Sequence, residues 1–292
     1  MRTKLPDSTA PKNAGGEPAS PGLAGRGLAG MEIVVARYRE DVSWTAALAA
    51  AGAAVTVYDK GGDNGGSAAA GGAAGPARIP LPNTGREAHT YLHHILARWP
   101  DFPEYTVFCQ GWPFDHMGGR TTDASTGRAP AGLGREMADL LAGLAARRVK
   151  FKGLADYAVR CDRAGRPHHL FDPEGRGKWA GHGRDIPLGE AYGLLFSGEV
   201  PETFHCRAPA GLLLVSRERI LLRPRGLYET AMAMVQADPD DARNTGHALE
   251  RLWYIVFNGY AALSRDGYTA EKAAAARGLG RDPARSAGAR EG

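Results

Sequence analysis

Residues 33–61 read IVVARYREDVSWTAALAAAGAAVTVYDKG, and this stretch decides the fold. Two short apolar runs, at residues 33–36 and 55–58, have the length and the β-branched content of buried strands. Residues 41–51 lie between them and read as a helix that stops at Gly52. A strand, a helix and a second strand at this spacing predict a βαβ unit with parallel strands.

The alternation of strands and helices continues along the chain. The clearest helix covers residues 85–99, where apolar side chains recur with a period of 3.6, and a strand over residues 105–109 follows it. We predict further helices over residues 135–148, 227–236 and 247–257, and a buried strand over residues 212–215. The pattern predicts an α/β fold: a single Rossmann-like domain over residues 31–262, with a mostly parallel central sheet flanked by helices.

The segments outside this pattern are rich in Gly, Pro, Ala and Ser. Residues 1–30 and 263–292 are predicted to be a disordered N-terminal segment and a flexible C-terminal tail, and residues 61–75 a flexible loop. Residues 161–187 show no period, and a loop of that length is usually a lid, a binding loop or a disordered segment.

Composition excludes several classes of protein. The net charge of +4 comes largely from Arg- and Gly-rich flanks and not from a folded basic face, so we expect no nucleic-acid partner. No signal peptide and no run of the ~18 apolar residues that a membrane span needs is present. The three cysteines form no C-x-x-C pair. We therefore expect a cytoplasmic protein without a membrane span.

Polar residues follow three of the predicted strands. Arg37 ends the first, Asp59 and Lys60 end the second, and Gln110 ends the third. Ligands of open parallel sheets bind beyond the carboxyl ends of the strands, so these residues are candidates for one binding site. The alternative is that polar residues simply begin where apolar strands stop.

The start of the clearest helix carries a second signal. Thr84 and Glu87 have the spacing of a capping box, in which each side chain satisfies a free backbone N–H. Arg86 has no such structural role, because a cation in the first turn opposes the helix dipole. A guanidinium beside free N–H groups suits a phosphate, so Arg86 is a candidate ligand contact.

Two histidine-containing groups could bind a metal. His89 and His93 have the i, i+4 spacing of a metal pair, although without the H-E-x-x-H pattern they are more typical of a core edge. Asp115 and His116 could hold a divalent cation that neutralises a diphosphate, or Asp115 could cap its own turn.

A polar stripe lies on the helix predicted over residues 247–257. His247, Glu250 and Arg251 share it with Tyr254. A Glu beside a His and an Arg could serve as a general base, and ordinary pairing of charges one turn apart explains the stripe nearly as well.

Several strings of this sequence occur together in a known family. They are ARYRED at residues 36–41, NTGREAHTYL at residues 83–92 and QGWPFDH at residues 110–116. With them, residues 31–260 resemble an uncharacterised family of bacterial and fungal proteins that is catalogued as a domain of unknown function. More distantly, the chain resembles nucleotide-sugar glycosyltransferases of the GT-A type.

The more distant resemblance implies roles for particular residues. Arg37, Asp59, Lys60 and Arg86 would contact the nucleotide and its diphosphate. Gln110 and Gly111 stand where these enzymes have the Asp-x-Asp motif that holds Mn²⁺ or Mg²⁺, and Asp115 with His116 would take the metal position. Glu250 would deprotonate the acceptor.

The sequence therefore carries three functional hypotheses. The first is a glycosyltransferase-like enzyme that moves a sugar from a nucleoside diphosphate sugar to an unknown acceptor. The second is a metal-dependent hydrolase that uses a cluster of His and Asp side chains, namely His89, His93, Asp115 and His116. The third is a non-catalytic binding protein of the same fold.

Overall fold

The apolar run at residues 33–36 lies at the centre of the main sheet. The structure is a computed structural model, and it describes residues 27–61, 76–117, 132–166 and 185–259. Within these ranges the strands are β1 (Met31–Arg37), β2 (Ala54–Asp59), β3 (Ala77–Pro80), β4 (Tyr105–Gln110), β5 (Phe151–Gly153), β6 (Ala158–Asp162), β7 (Thr203–Arg207) and β8 (Leu213–Ser216). Six of them form one sheet in the order β3-β2-β1-β4-β8-β5, and β6 pairs with β7 in a separate antiparallel sheet.

Most of the main sheet is parallel, as predicted. β1 runs parallel to both β2 and β4, β2 runs parallel to β3, and β8 runs antiparallel to β4 and β5. The seven helices of the described ranges are α1 (Thr45–Ala50), α2 (Arg86–Arg98), α3 (Leu133–Ala146), α4 (Leu188–Leu195), α5 (Arg217–Ile220), α6 (Arg225–Ala237) and α7 (Thr245–Asn258). None of them is long and apolar enough to cross a membrane.

The apolar alternation along β1 builds the core on both faces of the sheet. Ile33 and Val35 point to the side that carries α1 and α3, and Val34 and Ala36 point to the side that carries α2, α4, α6 and α7. Because successive side chains of a strand face opposite ways, a strand that is apolar throughout must be covered on both faces. The mixed α/β architecture predicted from the sequence is confirmed.

Two boundaries differ from the predictions. α1 begins at Thr45 and not at residue 41, because the Asp41 carboxylate accepts hydrogen bonds from the backbone N–H and the hydroxyl of Ser43, both at 2.9 Å. Such a local turn competes with the helix for the same backbone. The described chain also begins at Gly27, and Leu28 packs into the core on the α1 side.

Several predicted segments lie wholly or partly outside the described residues. They are residues 1–26 of the N-terminal segment, residues 260–292 at the C-terminus, and residues 62–75 of the Gly-rich loop. The aperiodic stretch over residues 161–187 is described only at its two ends. These ends contain the last residues of β6, a turn at residues 163–166 and the approach to α4.

Candidate functional site

The chain leaves β1 in two directions, and this creates a crevice. β2 pairs on one side of β1 and β4 pairs on the other, so the crossovers diverge at the carboxyl ends of β1 and β4. Ligands of doubly wound sheets bind at such a switch point. Glu40 fills part of it, because a Cβ built on Gly111 would lie 2.5 Å from its Oε2 atom. Gly111 is therefore required for the carboxylate to approach.

Arg37 and Asp59 meet at this edge of the sheet. The Arg37 guanidinium donates a 2.6 Å hydrogen bond to Asp59 Oδ2 and another of 3.0 Å to the carbonyl oxygen of Glu40. The second Asp59 oxygen accepts from the Gly61 N–H at 3.1 Å. The pair joins the ends of β1 and β2, and the carboxylate still has lone pairs for a ligand hydroxyl.

Lys60 connects the end of β2 to the start of α2. Its ammonium group donates to the carbonyl oxygen of Thr84 at 2.5 Å and to that of Arg86, and the residue is only 6% exposed. Burial lowers the pKa of Lys60 to about 8, with Arg86 acting in the same direction and Glu87 against it. Lys60 therefore fixes the position of Arg86 and adds positive charge beneath it.

The start of α2 has an unusual backbone. Gly85 and Arg86 both have positive φ angles, 56° and 52°. Gly85 is the N-cap and no side chain caps the helix, so the predicted capping box of Thr84 and Glu87 is wrong. The left-handed turn at Gly85 and Arg86 rotates the chain out of the geometry that such a box needs. The Arg86 side chain runs along the backbone of Gly246, whose missing side chain leaves the space.

Glu87 turns inward and does not cap the helix. It is 8% exposed, its Oε2 atom lies 3.8 Å from the Arg86 Nε, and within the described residues its Oε1 atom has no hydrogen-bond partner. A Cβ on Gly211 would lie 3.2 Å from the Glu87 Cγ. The buried hydroxyl of Tyr91 donates to the Gly211 carbonyl at 2.9 Å, which fixes the backbone opposite Glu87.

Glu250 faces the same group of charges from α7. Burial, followed by the negative charge of Glu87, raises the pKa of Glu250 well above its usual value, while Arg251 and Arg86 act in the opposite direction. Glu250 therefore keeps its proton at pH values at which an ordinary glutamate is ionised. The base role predicted for Glu250 has to be considered with this proton in place.

The loop before α7 supplies further charges. Asp241 and Asn244 adopt left-handed backbone conformations, with φ angles of 50° and 59°. The carboxylate of Asp238 holds the loop by accepting 2.7 Å and 3.3 Å hydrogen bonds from the hydroxyl and the N–H of Thr245. Asp241 lies 3.6 Å from the Nδ1 atom of His247. Non-glycine residues in such conformations persist only where their surroundings fix them, and they often cluster at functional sites.

Arg251 is one turn further along α7. It is 5% exposed and donates a 3.0 Å hydrogen bond to the carbonyl oxygen of His247. Its charge also acts on Glu250, Tyr157 and Cys161. Arg251 is thus a buried cation that stabilises the polar stripe of α7 from within.

Gln110, Asp115 and His116 form the third group. Gln110 Nε2 donates to Asp115 Oδ1 at 3.3 Å, and His116 Nε2 lies 3.8 Å from the same oxygen. The His116 ring is 5.8 Å from the ring of Tyr157. Burial, then Glu250, raises the pKa of Tyr157 to about 12, and Asp115 contributes. Tyr157 therefore lies between the His116 group and Glu250.

A metal at Asp115 and His116 would need ligands from elsewhere. Within the parts of the chain that the structure describes, no three His, Cys, Asp or Glu side chains come together as a metal site requires. One carboxylate and one imidazole suit Mg²⁺ or Mn²⁺ only when substrate phosphates and water complete the coordination.

His89 and His93 stack on each other with ring centroids 6.3 Å apart. His89 is buried, and burial, with the positive charge of Lys60, lowers its pKa to about 4. His89 is therefore neutral at physiological pH. It packs at the core edge beside Lys60, and we do not assign it as a metal ligand.

A cavity of about 710 Å³ adjoins the loop that carries Asp241. Its lining includes Arg163, Ile186, Pro187, Glu190, Val200 and Arg243. Arg243 is paired with Glu190 at 3.3 Å. The cavity offers a mixed apolar and charged surface next to the charges on α7.

The strand ends, the start of α2 and α7 thus meet along one edge of the sheet. Sequence reasoning missed Tyr157 and Asp241, and it assigned Glu87 to a cap. Asp241 lies in the sequence DPDDARN, which is typical of a turn and could have drawn attention to it. Tyr157 lies beside the aperiodic stretch, where the sequence carries no comparable signal.

The fold and this edge define an α/β protein with a charged cluster at the switch point of a mostly parallel sheet. Residues 33–272 match the family described as Protein of unknown function (DUF3431), and the chain belongs to this family. The predicted membership of a family of unknown function is confirmed. No curated protein and no solved structure matches the chain.

Proposed function

We propose that the chain is a GT-A-like glycosyltransferase that transfers a sugar from a nucleoside diphosphate sugar to an unknown acceptor. One observation carries the proposal: Lys60 and Arg86 are held together at the N-terminus of α2, next to the crevice between β1 and β4. A helix N-terminus with two cations suits a diphosphate, whose negative charge increases as the sugar departs.

The other groups fit a donor that lies along this edge. Arg37 and Asp59 would contact the nucleoside, with the Asp59 carboxylate accepting a ribose hydroxyl. A divalent cation on Asp115 and His116 would neutralise the diphosphate when it is bound. The cavity beside Arg243 gives room for an acceptor near the α7 carboxyl groups.

Donor binding is tested directly by calorimetry with UDP-, GDP- and TDP-sugars, each with and without Mn²⁺. We expect one nucleotide class to bind, and Arg86→Ala to weaken that binding by about 10-fold or more, as the loss of a charged hydrogen bond would. Arg225→Ala is the matched control, because its guanidinium is exposed to a similar degree, 51% against 44%, but pairs only with Glu229 on α6.

The outcomes separate the hypotheses. Absence of binding across the whole panel contradicts a nucleotide-sugar enzyme. Binding without any turnover favours the non-catalytic protein of the same fold, and equal losses in Arg86→Ala and Arg225→Ala contradict the role of Arg86.

A further inference from the structure

Glu87 carries a buried oxygen atom whose hydrogen-bonding capacity is unused. Its Oε1 atom has no partner within the described residues, although the side chain is only 8% exposed. Leaving a buried charged acceptor without a donor is unfavourable, and native structures rarely retain one without a reason. A hydroxyl group of a ligand would supply the missing donor.

The space in front of Glu87 is kept open by the backbone. Gly211 has a φ angle of 63°, and a Cβ there would lie 3.5 Å from Glu87 Oε1 and 3.5 Å from the Tyr91 ring. Gly211 therefore leaves the carboxylate uncovered, while Tyr91 holds the glycine carbonyl in place.

Glu250 shares the surroundings of Glu87. The charged and titratable groups around it are Glu87 and Arg86 from α2, Arg251 on its own helix, Asp241 from the preceding loop, and Tyr157 next to β6. Two carboxyl groups in one buried cluster do not both ionise readily, so one of them retains a proton. Glu250 is that group, because burial disfavours its charged form.

We propose that Glu87 accepts the proton of an acceptor hydroxyl during sugar transfer, and that Glu250 stays protonated beside it. This division of roles rests on the proposed function, and it reverses the role that the sequence assigns to Glu250. It also specifies the acceptor as a neutral hydroxyl, because the charge of Glu87 would repel an anionic group.

The step balances as follows. The acceptor oxygen forms a bond to the anomeric carbon, and the bond between that carbon and the diphosphate oxygen breaks. The electron pair of the broken bond leaves with the diphosphate beside Lys60 and Arg86. The hydroxyl proton moves to the Glu87 carboxylate, and Glu250 neither gains nor loses a proton.

The first test needs no substrate and uses infrared spectroscopy of the full chain at neutral pH. We expect the carbonyl absorption of a protonated carboxyl group in the wild type, and its loss in Glu250→Gln. In Glu87→Gln the band should persist but titrate at lower pH, because the neighbouring negative charge is gone. A wild-type band that survives in Glu250→Gln, or no band at all, overturns the assignment of the proton.

The second test measures UDP release from UDP-glucose with water as the acceptor, and thermal unfolding confirms that each variant is folded. Glu87→Gln should lower kcat by about 100-fold or more, as loss of a general base does, with donor affinity unchanged. Glu250→Gln should keep most of the activity, since an amide replaces a neutral carboxyl group of the same shape. Glu229→Gln, an exposed carboxylate on α6, is the control.

The reverse result, in which Glu250→Gln is inactive and Glu87→Gln is active, overturns the proposal. A wild type that binds no donor overturns the proposed function and the transfer role of Glu87 with it. In that case the infrared result still supports or overturns the protonation of Glu250.

Discussion

α2 has a buried acidic cluster at each end, and the two differ in their hydrogen bonding. Near the C-terminal end, Glu32 of β1 accepts hydrogen bonds from Thr56 at 3.0 Å and Arg98 at 3.3 Å, and lies 3.5 Å from His94 Nε2. Burial alone would raise its pKa, but His94, with Thr56 and Arg98, lowers the pKa of Glu32 to about 2.

The N-terminal cluster has the opposite character. Glu87 keeps an oxygen without a described partner, and the pKa of Glu250 moves upward and not downward. Both clusters are buried, so burial does not explain the difference. The C-terminal cluster is satisfied by the protein itself and contributes to stability. The N-terminal cluster is left incomplete, which is the arrangement expected where function is gained at some cost in stability.

The largest effect on stability should come from breaking the satisfied cluster. Glu32→Ala removes the anion that Thr56, His94 and Arg98 share, and loss of one partner from a buried charged group costs about 3 kcal/mol. We expect this loss in chemical denaturation at pH 7, with donor binding by the folded fraction unchanged. Glu218→Ala, which removes a carboxylate that is 65% exposed, is the control and should cost little.

The same variant predicts a pH dependence. Because the folded pKa of Glu32 is lowered from 4.5 to about 2, its contribution to stability is present above pH 4.5 and is lost as the pH falls towards 2. The difference between the wild type and Glu32→Ala should therefore shrink over this range. A constant difference would show that the cost comes from the cavity and not from the charge.

A second prediction concerns the buried cation of the N-terminal cluster. Lys60 has a pKa of about 8, so it loses its positive charge as the pH rises through that value. If it attracts the diphosphate, calorimetry with UDP should show an affinity that falls by about 10-fold between pH 7 and pH 9, the range in which the charge is lost. Lys60→Met should bind weakly at both values and lose this dependence.

Lys152→Met is the control for Lys60→Met, because its amino group lies at an exposed position on β5. An unchanged pH dependence in Lys60→Met would assign the titration to another group. A wild type without any such dependence would limit Lys60 to holding the carbonyl groups of Thr84 and Arg86.

The satisfied and the incomplete cluster differ in how much of each could be read from the sequence. Apolar runs and a period of 3.6 predict β1, β2, β4 and α2, because each pattern depends on neighbours in the chain. β3 has the sequence ARIP, whose proline and single β-branched residue give no strand signal, and only its pairing with β2 reveals it.

The site was predictable only where a residue's position along its own element decided its role. Arg86 stood out because a cation at a helix start needs an explanation. Glu87 did not, because its inward turn depends on Gly211, which is more than 120 residues away in the chain. The upward pKa shift of Glu250 depends likewise on burial and on Glu87, and neither can be read from the spacing along α7.

A third prediction uses Gly211 to sharpen the contrast between the clusters. Gly211→Ala places a Cβ 3.2 Å from the Glu87 Cγ in a left-handed conformation, and we expect a loss of about 1 kcal/mol together with reduced turnover. Gly132→Ala is closely matched, because Gly132 also has a positive φ angle and meets nothing within 4 Å. It should show a similar loss of stability without the loss of turnover, and equal turnover in the two variants would separate Gly211 from the site.

The smallest effect is expected from Glu250→Gln, and its direction distinguishes the two clusters. A carboxyl group whose folded pKa is raised contributes stability that is fully present below its unfolded pKa and is lost as the pH rises through the folded value. The amide removes that loss, so the variant should match the wild type near pH 4 and become progressively more stable than it towards pH 8. Thermal unfolding across this range measures the difference. Glu32→Gln should behave in the opposite way, with a deficit that is largest above pH 4.5 and disappears towards pH 2, because its parent carboxylate is stabilised and not destabilised in its charged form. If both variants lost stability with the same pH profile, the N-terminal cluster would be as well satisfied as the C-terminal one, and the reason for assigning it a ligand would be gone.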